Sequence, residues 1–223
     1  NIDTTDKELA KRFSFWIKEI SPNTAPYSHK LNLKLIENKY LKKLDKEKYR
    51  IYLRGVNKRI EIFCEENIPL FTEMEEKQQE YGAISAKMSI EIDGKNLTMQ
   101  QAALLLKNTN REKRKEVYNK INKRRLEDED KLDNLYDELI ILRQKIAKNA
   151  GFKNYRDYMF AAMGRFDYTP QDCFDFHDAI EKEIVPIITS FEKERIQKLG
   201  YSNYKAWDTA VDVNGFEPLK PFE

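Results

Sequence analysis

Residues Asn149 to His177 read NAGFKNYRDYMFAAMGRFDYTPQDCFDFH, and the rest of the chain is organised around this stretch. Eight of its 29 residues are aromatic, against 12% for the whole chain. Arg156, Asp157, Arg165, Asp167, Asp172 and Asp175 are set among the rings. A solvated helical face would not carry so many rings, and a plain core would not carry so many ions. The mixture suits a junction of helical layers, with Arg156, Asp157, Arg165 and Asp167 expected to pair with one another or with nearby backbone. Within it, Gly151 ends the preceding helix as a left-handed cap. A short helix is predicted from Asn154 to Met163, with Tyr155, Tyr158, Met159 and Ala162 on one face. Thr169-Pro170-Gln171-Asp172 then combines a threonine cap, proline at the first helical position and an acid three residues on.

On the C-terminal side, His177, Ile180, Ile184, Ile187 and Phe191 form one inward stripe of a helix that ends at Leu199-Gly200. Pro186 is expected to kink it, because the ring removes a backbone hydrogen bond. The tail from Tyr201, with Trp207-Asp208 and Asn214-Gly215, reads as loop or short extended segments. On the N-terminal side, a capping box of Thr109 and Glu112 opens what the pattern predicts as one helix of about forty residues to Asn149. Val117, Ile121, Leu132, Leu135, Leu139, Leu142 and Ile146 keep its stripe. Its first third is basic (Arg111, Lys113, Arg114, Lys115, Lys120, Lys123, Arg124, Arg125) and its middle acidic (Glu127, Asp128, Glu129, Asp130, Asp133). No aromatics are interleaved to stack on bases and an acidic block adjoins it, so the basic run reads as a solvated face, not a nucleic-acid strip.

Further upstream, Met88, Ile90 and Ile92 alternate with polar residues, Asp93-Gly94 supplies the turn of a hairpin, and Lys95 to Leu97 return. Thr98 and Gln101 form a second capping box. Four helices precede the hairpin. The first is capped by Thr4 or Thr5, with Leu9, Phe13, Trp16, Ile17 and Ile20 inward, and Ser21-Pro22-Asn23 is expected to end it. The second spans Ser28 to Leu44 with Leu31, Leu35 and Leu44 inward. Asp45 opens the third, striped by Tyr49, Leu53, Val56, Ile60 and Phe63. The fourth runs from Pro69 to Gly82. The fold class is therefore mostly α: a multi-helix array with one short β-hairpin near 86–97. The softest boundary lies around the hairpin, which divides the chain into an N-terminal helical lobe, 1–97, and a long-helix segment, 98–223.

Composition is that of a helix-rich globular protein, 40% hydrophobic and 35% charged with seven Gly and seven Pro in 223 residues. A net charge of +2 gives no global reason to expect nucleic acid or an anionic membrane as partner. No stretch approaches the ~18 apolar residues of a spanning helix. No signal peptide is read at the N-terminus. The two cysteines, Cys64 and Cys173, are far apart in sequence and read as reduced thiols, so the expected location is cytoplasmic. The chain stops at Pro218-Leu219-Lys220-Pro221-Phe222-Glu223 without a polar tail and reads as cut from something longer.

No complete active site is legible: no catalytic, cofactor-binding or metal residue is assigned. A metallohydrolase needs clustered His and carboxylate ligands, and the only histidines are His29 and His177. Burial on the apolar stripe is expected for His177, exposure for His29. There is no G-x-S-x-G and no glycine-rich phosphate loop. Cys173 and His177 are one turn apart, but the flanking Phe174 and Phe176 argue against an exposed thiolate.

The segments NAGFKNYRDYMF, GRFDYTPQDCFDFH, VPI, LG, WD and PLKPF, in this order, resemble the oligoendopeptidase F-type zinc metallopeptidases, relatives of thimet oligopeptidase. The similarity is dense from Thr98 to Phe222 and looser upstream, where IYLRGVNKRIEIFCEENIPL and QEYGAI carry it. It departs at Lys205-Ala206, where the family has Arg-Pro before Trp-Asp. The resemblance implies a helical, lobed protein with a deep cleft for short peptide substrates. In that family zinc is held by an H-E-x-x-H helix and a downstream Glu. No H-E-x-x-H exists in these 223 residues, so no catalytic residue carries over. The expectation is an N-terminal portion, with 98–223 starting an incomplete catalytic domain whose C-terminal half is the missing partner. Zinc belongs to the full-length parent, and this chain is expected to bind none and cleave nothing. The alternative is a non-catalytic helical module that binds a peptide or a protein.

Overall fold

In the computed structural model, which describes residues 6–218, helices follow one another with a single hairpin between them. In chain order they are α1 (Lys7–Phe15), α2 (Ser21–Ile36), α3 (Lys46–Glu61), α4 (Asn67–Ala86), β1 (Ser89–Ile92), β2 (Lys95–Thr98), α5 (Met99–Leu104), α6 (Arg111–Leu126), α7 (Glu129–Asn149), α8 (Tyr155–Ala162), α9 (Pro170–Ala179) and α10 (Val185–Leu199). The chain divides into two compact units, one of Asn1–Ala83 with Asp133–Cys173, the other of Ile84–Leu132 with Phe174–Glu223.

Caps set most helix starts, as local chemistry dictates. The expected caps Thr4 and Thr5 lie outside the described residues; α1 is capped by Asp6, whose carboxylate accepts from the amides of Glu8 and Leu9. Asp45 caps α3, and Thr98 and Gln101 close the reciprocal box at α5. The stripe of α3 is half-buried to buried, with Val56 wholly inside.

One proline behaves differently from its sequence expectation. The first helix does not stop at Ser21-Pro22: a wide π-turn over Trp16–Ile20 runs straight into α2. The Ser21 amide reaches back five residues to the Trp16 carbonyl. Widening by one residue takes up the carbonyl that a proline ring would strike, so the chain stays helical. The same arrangement recurs over Ile180–Ile184, where Val185 bonds to Ile180 just before Pro186. The predicted second helix is likewise corrected: α2 ends at Ile36, a 3-10 turn covers Leu41–Lys43, and Leu31 is exposed.

The forty-residue helix is also two helices. Its cap is Asn110, not Thr109, whose hydroxyl donates to Glu217. It breaks at Glu127-Asp128. The Asp128 carboxylate takes Arg124 and Lys131, and its carbonyl accepts the Leu132 amide. Basic Lys123, Arg124 and Arg125 close α6 while acidic Glu129 and Asp130 open α7, each charge facing the helix pole that favours it.

In the first unit, Ile146 and Ala147 of α7 and Tyr158 of α8 form a core joined by Leu70, Phe71 and Met74 of α4. The buried Asn67 side chain donates to the Ile146 carbonyl at 2.9 Å and accepts from Asn149 at 2.9 Å. In the second unit, β1 and β2 pair antiparallel, Ser89 opposite Thr98 and Ile92 opposite Lys95. Ile90 and Ile92 pack on Ala102, Val117 and Ile121. Asp93 and Gly94 have φ of 52° and 72°, the left-handed pair the tight turn needs.

Candidate functional site

The aromatic-ionic stretch is a clasp. Asn154 caps α8, its Oδ1 accepting the Asp157 amide at 2.9 Å, and Arg156 bonds the Asp157 carboxylate at 2.9 Å. That guanidinium holds Asp157 below the usual carboxylate range. Tyr158 turns inward against Phe152 and Tyr155, whose ring centroids lie 5.6 and 5.8 Å from its own. Ala162, expected on the same face, is exposed. Asp167 pairs not with its neighbours but with Arg54 of α3, at 3.0 Å, and Arg54 also covers the Phe166 ring at 4.4 Å. Arg165 sits over Phe160 at 5.1 Å. Thr169 and Asp172 bond reciprocally at the start of α9. Phe152, Tyr155 and Tyr158 fill the interior, and of the expected pairing Arg156 with Asp157 is found, while Asp167 takes Arg54 and Arg165 takes the Phe160 ring.

A second feature on the same unit was not legible. His29, expected to be exposed, is half-buried and stacked on Phe63 with centroids 3.9 Å apart and planes 11° off parallel. Four positions on one face of α2, Ala25, Ser28, His29 and Asn32, face α3, α4 and α8 across a cleft of about 250 Å³. The His29 Nδ1 is shielded from solvent and has no hydrogen-bond partner among the described residues. At the cleft edge the Cys64 thiol donates to Glu66 at 2.9 Å. Burial, reinforced by that carboxylate, pushes the Cys64 thiol up, so it stays protonated and is no nucleophile at neutral pH. His177 corrects the opposite way: it is exposed, as are Phe174 and Phe176 beside Cys173.

In the second unit the basic run of α6 proves to be only partly solvated. Arg114 is completely buried and its Nη2 meets Asp208, also completely buried, at 2.9 Å. Arg111 forks onto the same carboxylate at 3.0 and 2.7 Å, and the Lys205 amide adds a bond at 3.0 Å. Arg114 further donates to the carbonyls of Asn108, Thr109 and Trp207. Burial works against the Asp208 carboxylate, but the bonds from Arg111 and Arg114 outweigh it and hold the group below the usual range. From α10, Arg195 donates to the carbonyls of Asp208 and Val211. Trp207-Asp208 is thus a 3-10 turn locked by three arginines, not a free loop.

Among the described residues no three His, Cys, Asp or Glu side chains come together as metal ligands, so the side chains present do not fit a zinc site. Nor is any helix among them long and apolar enough to cross a membrane. One surface stands out. The stripe Ile184, Ile187 and Phe191, expected inward, is 47%, 48% and 61% exposed, with Val185 and Ile188 beside it. The periodicity is real, but about half of each side chain on it stays exposed.

Residues 104–216 match the model of peptidase family M3, and residues 1–63 match the peptidase M3 N-terminal domain. No curated protein matches the chain. Among solved structures, a protein described as an oligoendopeptidase F from Bacillus anthracis superposes with a TM-score of 0.87 at 25% identity, over 94% of this chain and 38% of the other. PZ peptidase A, determined with an inhibitor, gives a TM-score of 0.87 at 23% identity, over 94% of this chain and 37% of its own. The chain therefore spans less than two-fifths of the length of these structures. Two M3 models, over residues 1–63 and 104–216, and a shared helical fold agree: the chain belongs to peptidase family M3.

Proposed function

We propose that this chain is the N-terminal part of a cytoplasmic, zinc-dependent oligopeptidase, supplying cleft wall and scaffold but not the zinc site. The observation that carries it is the exposed apolar ridge of α10, in a chain matched to under two-fifths of its structural relatives. Soluble monomers rarely leave such contiguous apolar surface without a binding role. In this reading the remainder of the M3 fold packs on the ridge, and the Asp208 cluster holds α6 and α10 in register beneath it. The residues of this chain bind and position; an H-E-x-x-H helix outside these 223 residues holds the zinc and activates water for peptide hydrolysis.

Metal analysis and a quenched-fluorescent peptide assay on the purified chain test this, together with the reading frame past Glu223. The expected outcome is no stoichiometric zinc, no turnover, and an H-E-x-x-H segment downstream. Stoichiometric zinc with turnover in this chain alone, or a natural stop codon after Glu223, overturns it. The stop codon would favour the non-catalytic binding module.

A further inference from the structure

We propose that the cleft between α2, α3 and α4 is a binding site for a small amphipathic carboxylate, independent of any peptidase chemistry. At about 250 Å³ the cleft has room for a phenyl-sized body, since a cavity of ~150 Å³ already admits benzene. Its walls are mostly apolar, with Phe63, Ile68, Phe71 and Tyr158 lining it, the composition of small-ligand sites. Charge decides the polar end. Arg59 is the one ionic side chain in the lining, and it has no ion pair with a carboxylate among the described residues. Its guanidinium lies along α3, with Nη1 3.5 Å from where a Cβ on Gly55 would stand. No acid lines the cleft to repel an anion, and the nearby Glu66 is engaged by the Cys64 thiol. The His29 Nδ1, shielded and without a partner among the described residues, is an unsatisfied polar group at the same wall. Left unmade, such a bond is costly, so the site gains from a ligand that supplies the missing oxygen. An apolar body with one carboxylate matches both halves. A cation would meet the guanidinium, and a purely apolar ligand would leave the polar groups unserved.

Titration of the 223-residue chain with 3-phenylpropionate and, separately, 3-phenylpropan-1-ol, followed by amide NMR shifts, tests the assignment. The carboxylate is expected to saturate shifts in α2 and at Phe63, Phe71 and Tyr158, and to bind more tightly than the alcohol. Arg59→Gln should weaken the carboxylate about tenfold, the scale of one charge-assisted hydrogen bond, and leave the alcohol unchanged. Because Arg59 is surface-exposed, the variant should fold as the parent does, which the unperturbed spectrum checks. Absence of saturable shifts, equal affinity for the alcohol, or unchanged carboxylate binding in Arg59→Gln overturns the proposal.

Discussion

Asp208 is the buried carboxylate on which Arg111 and Arg114 of the second unit converge. Its carboxylate is fully buried and every bond to it carries charge or a backbone amide, from Arg111, Arg114 and Lys205. Asp208→Asn keeps the shape but strands the buried Arg114 guanidinium without its counter-charge, which should cost about 3–5 kcal/mol. Urea unfolding of the two proteins at neutral pH measures it; a loss below about 1 kcal/mol would show the cluster to be ornamental. The pH dependence has a defined sign. A carboxyl held below its unfolded value of about 3.9 stabilises fully above that pH, and the contribution is lost as pH falls through the folded value. The parent should therefore weaken more steeply than Asp208→Asn in acid below about pH 4. None of this was legible locally. Arg111 and Arg114 sit in a charge run whose neighbours do point to water, and their partner lies more than ninety residues downstream. His29 failed for the same reason: a polar neighbourhood in sequence says nothing of the Phe63 ring that stacks on it.

Elements were read well where their signal is chemical and local. Asp45, Thr98 with Gln101, Gly151 and Thr169 with Asp172 each act within a few residues, so the sequence carries the whole device. The misreadings arose where two rules compete. Proline normally ends a helix, but before Pro22 a π-turn relieves the clash and the helix continues. The pole charges of two abutting helices imitate one long charged helix, which hid the break at Glu127-Asp128. The hairpin offers a clean test of a backbone rule. Gly94 has φ of +72°, and a Cβ there would meet nothing within 4 Å. Gly94→Ala therefore introduces no clash, and its whole cost is the left-handed conformation, about 1 kcal/mol. For a chain of this size the melting temperature should fall by about 2–4 °C. An unchanged melting temperature would mean the turn tolerates the substitution by shifting its register.

At the scale of the whole chain, periodicity identifies an apolar stripe but cannot say what covers it. The spacing of Ile184, Ile187 and Phe191 is that of a core-facing helix, yet about half of each side chain is exposed, in a chain that spans under two-fifths of the structures it matches. Exposed apolar rows of this kind bind one another when nothing else is available, since association removes their surface from water. The isolated chain should therefore show concentration-dependent sedimentation and bind a hydrophobic dye. Ile187→Lys with Phe191→Lys places charge on the centre of the row, where an aromatic anchor is worth about 2 kcal/mol or more in an interface. The double variant should sediment as a monomer at concentrations where the parent associates. Its stability should hold within about 0.5 kcal/mol, because surface substitutions outside a core remove no packing. A double variant that unfolds would place Ile187 and Phe191 in a core of this chain after all. One that folds but associates as before would move the sticky surface elsewhere. Monomerisation without loss of stability is the outcome that identifies the ridge as the associating surface.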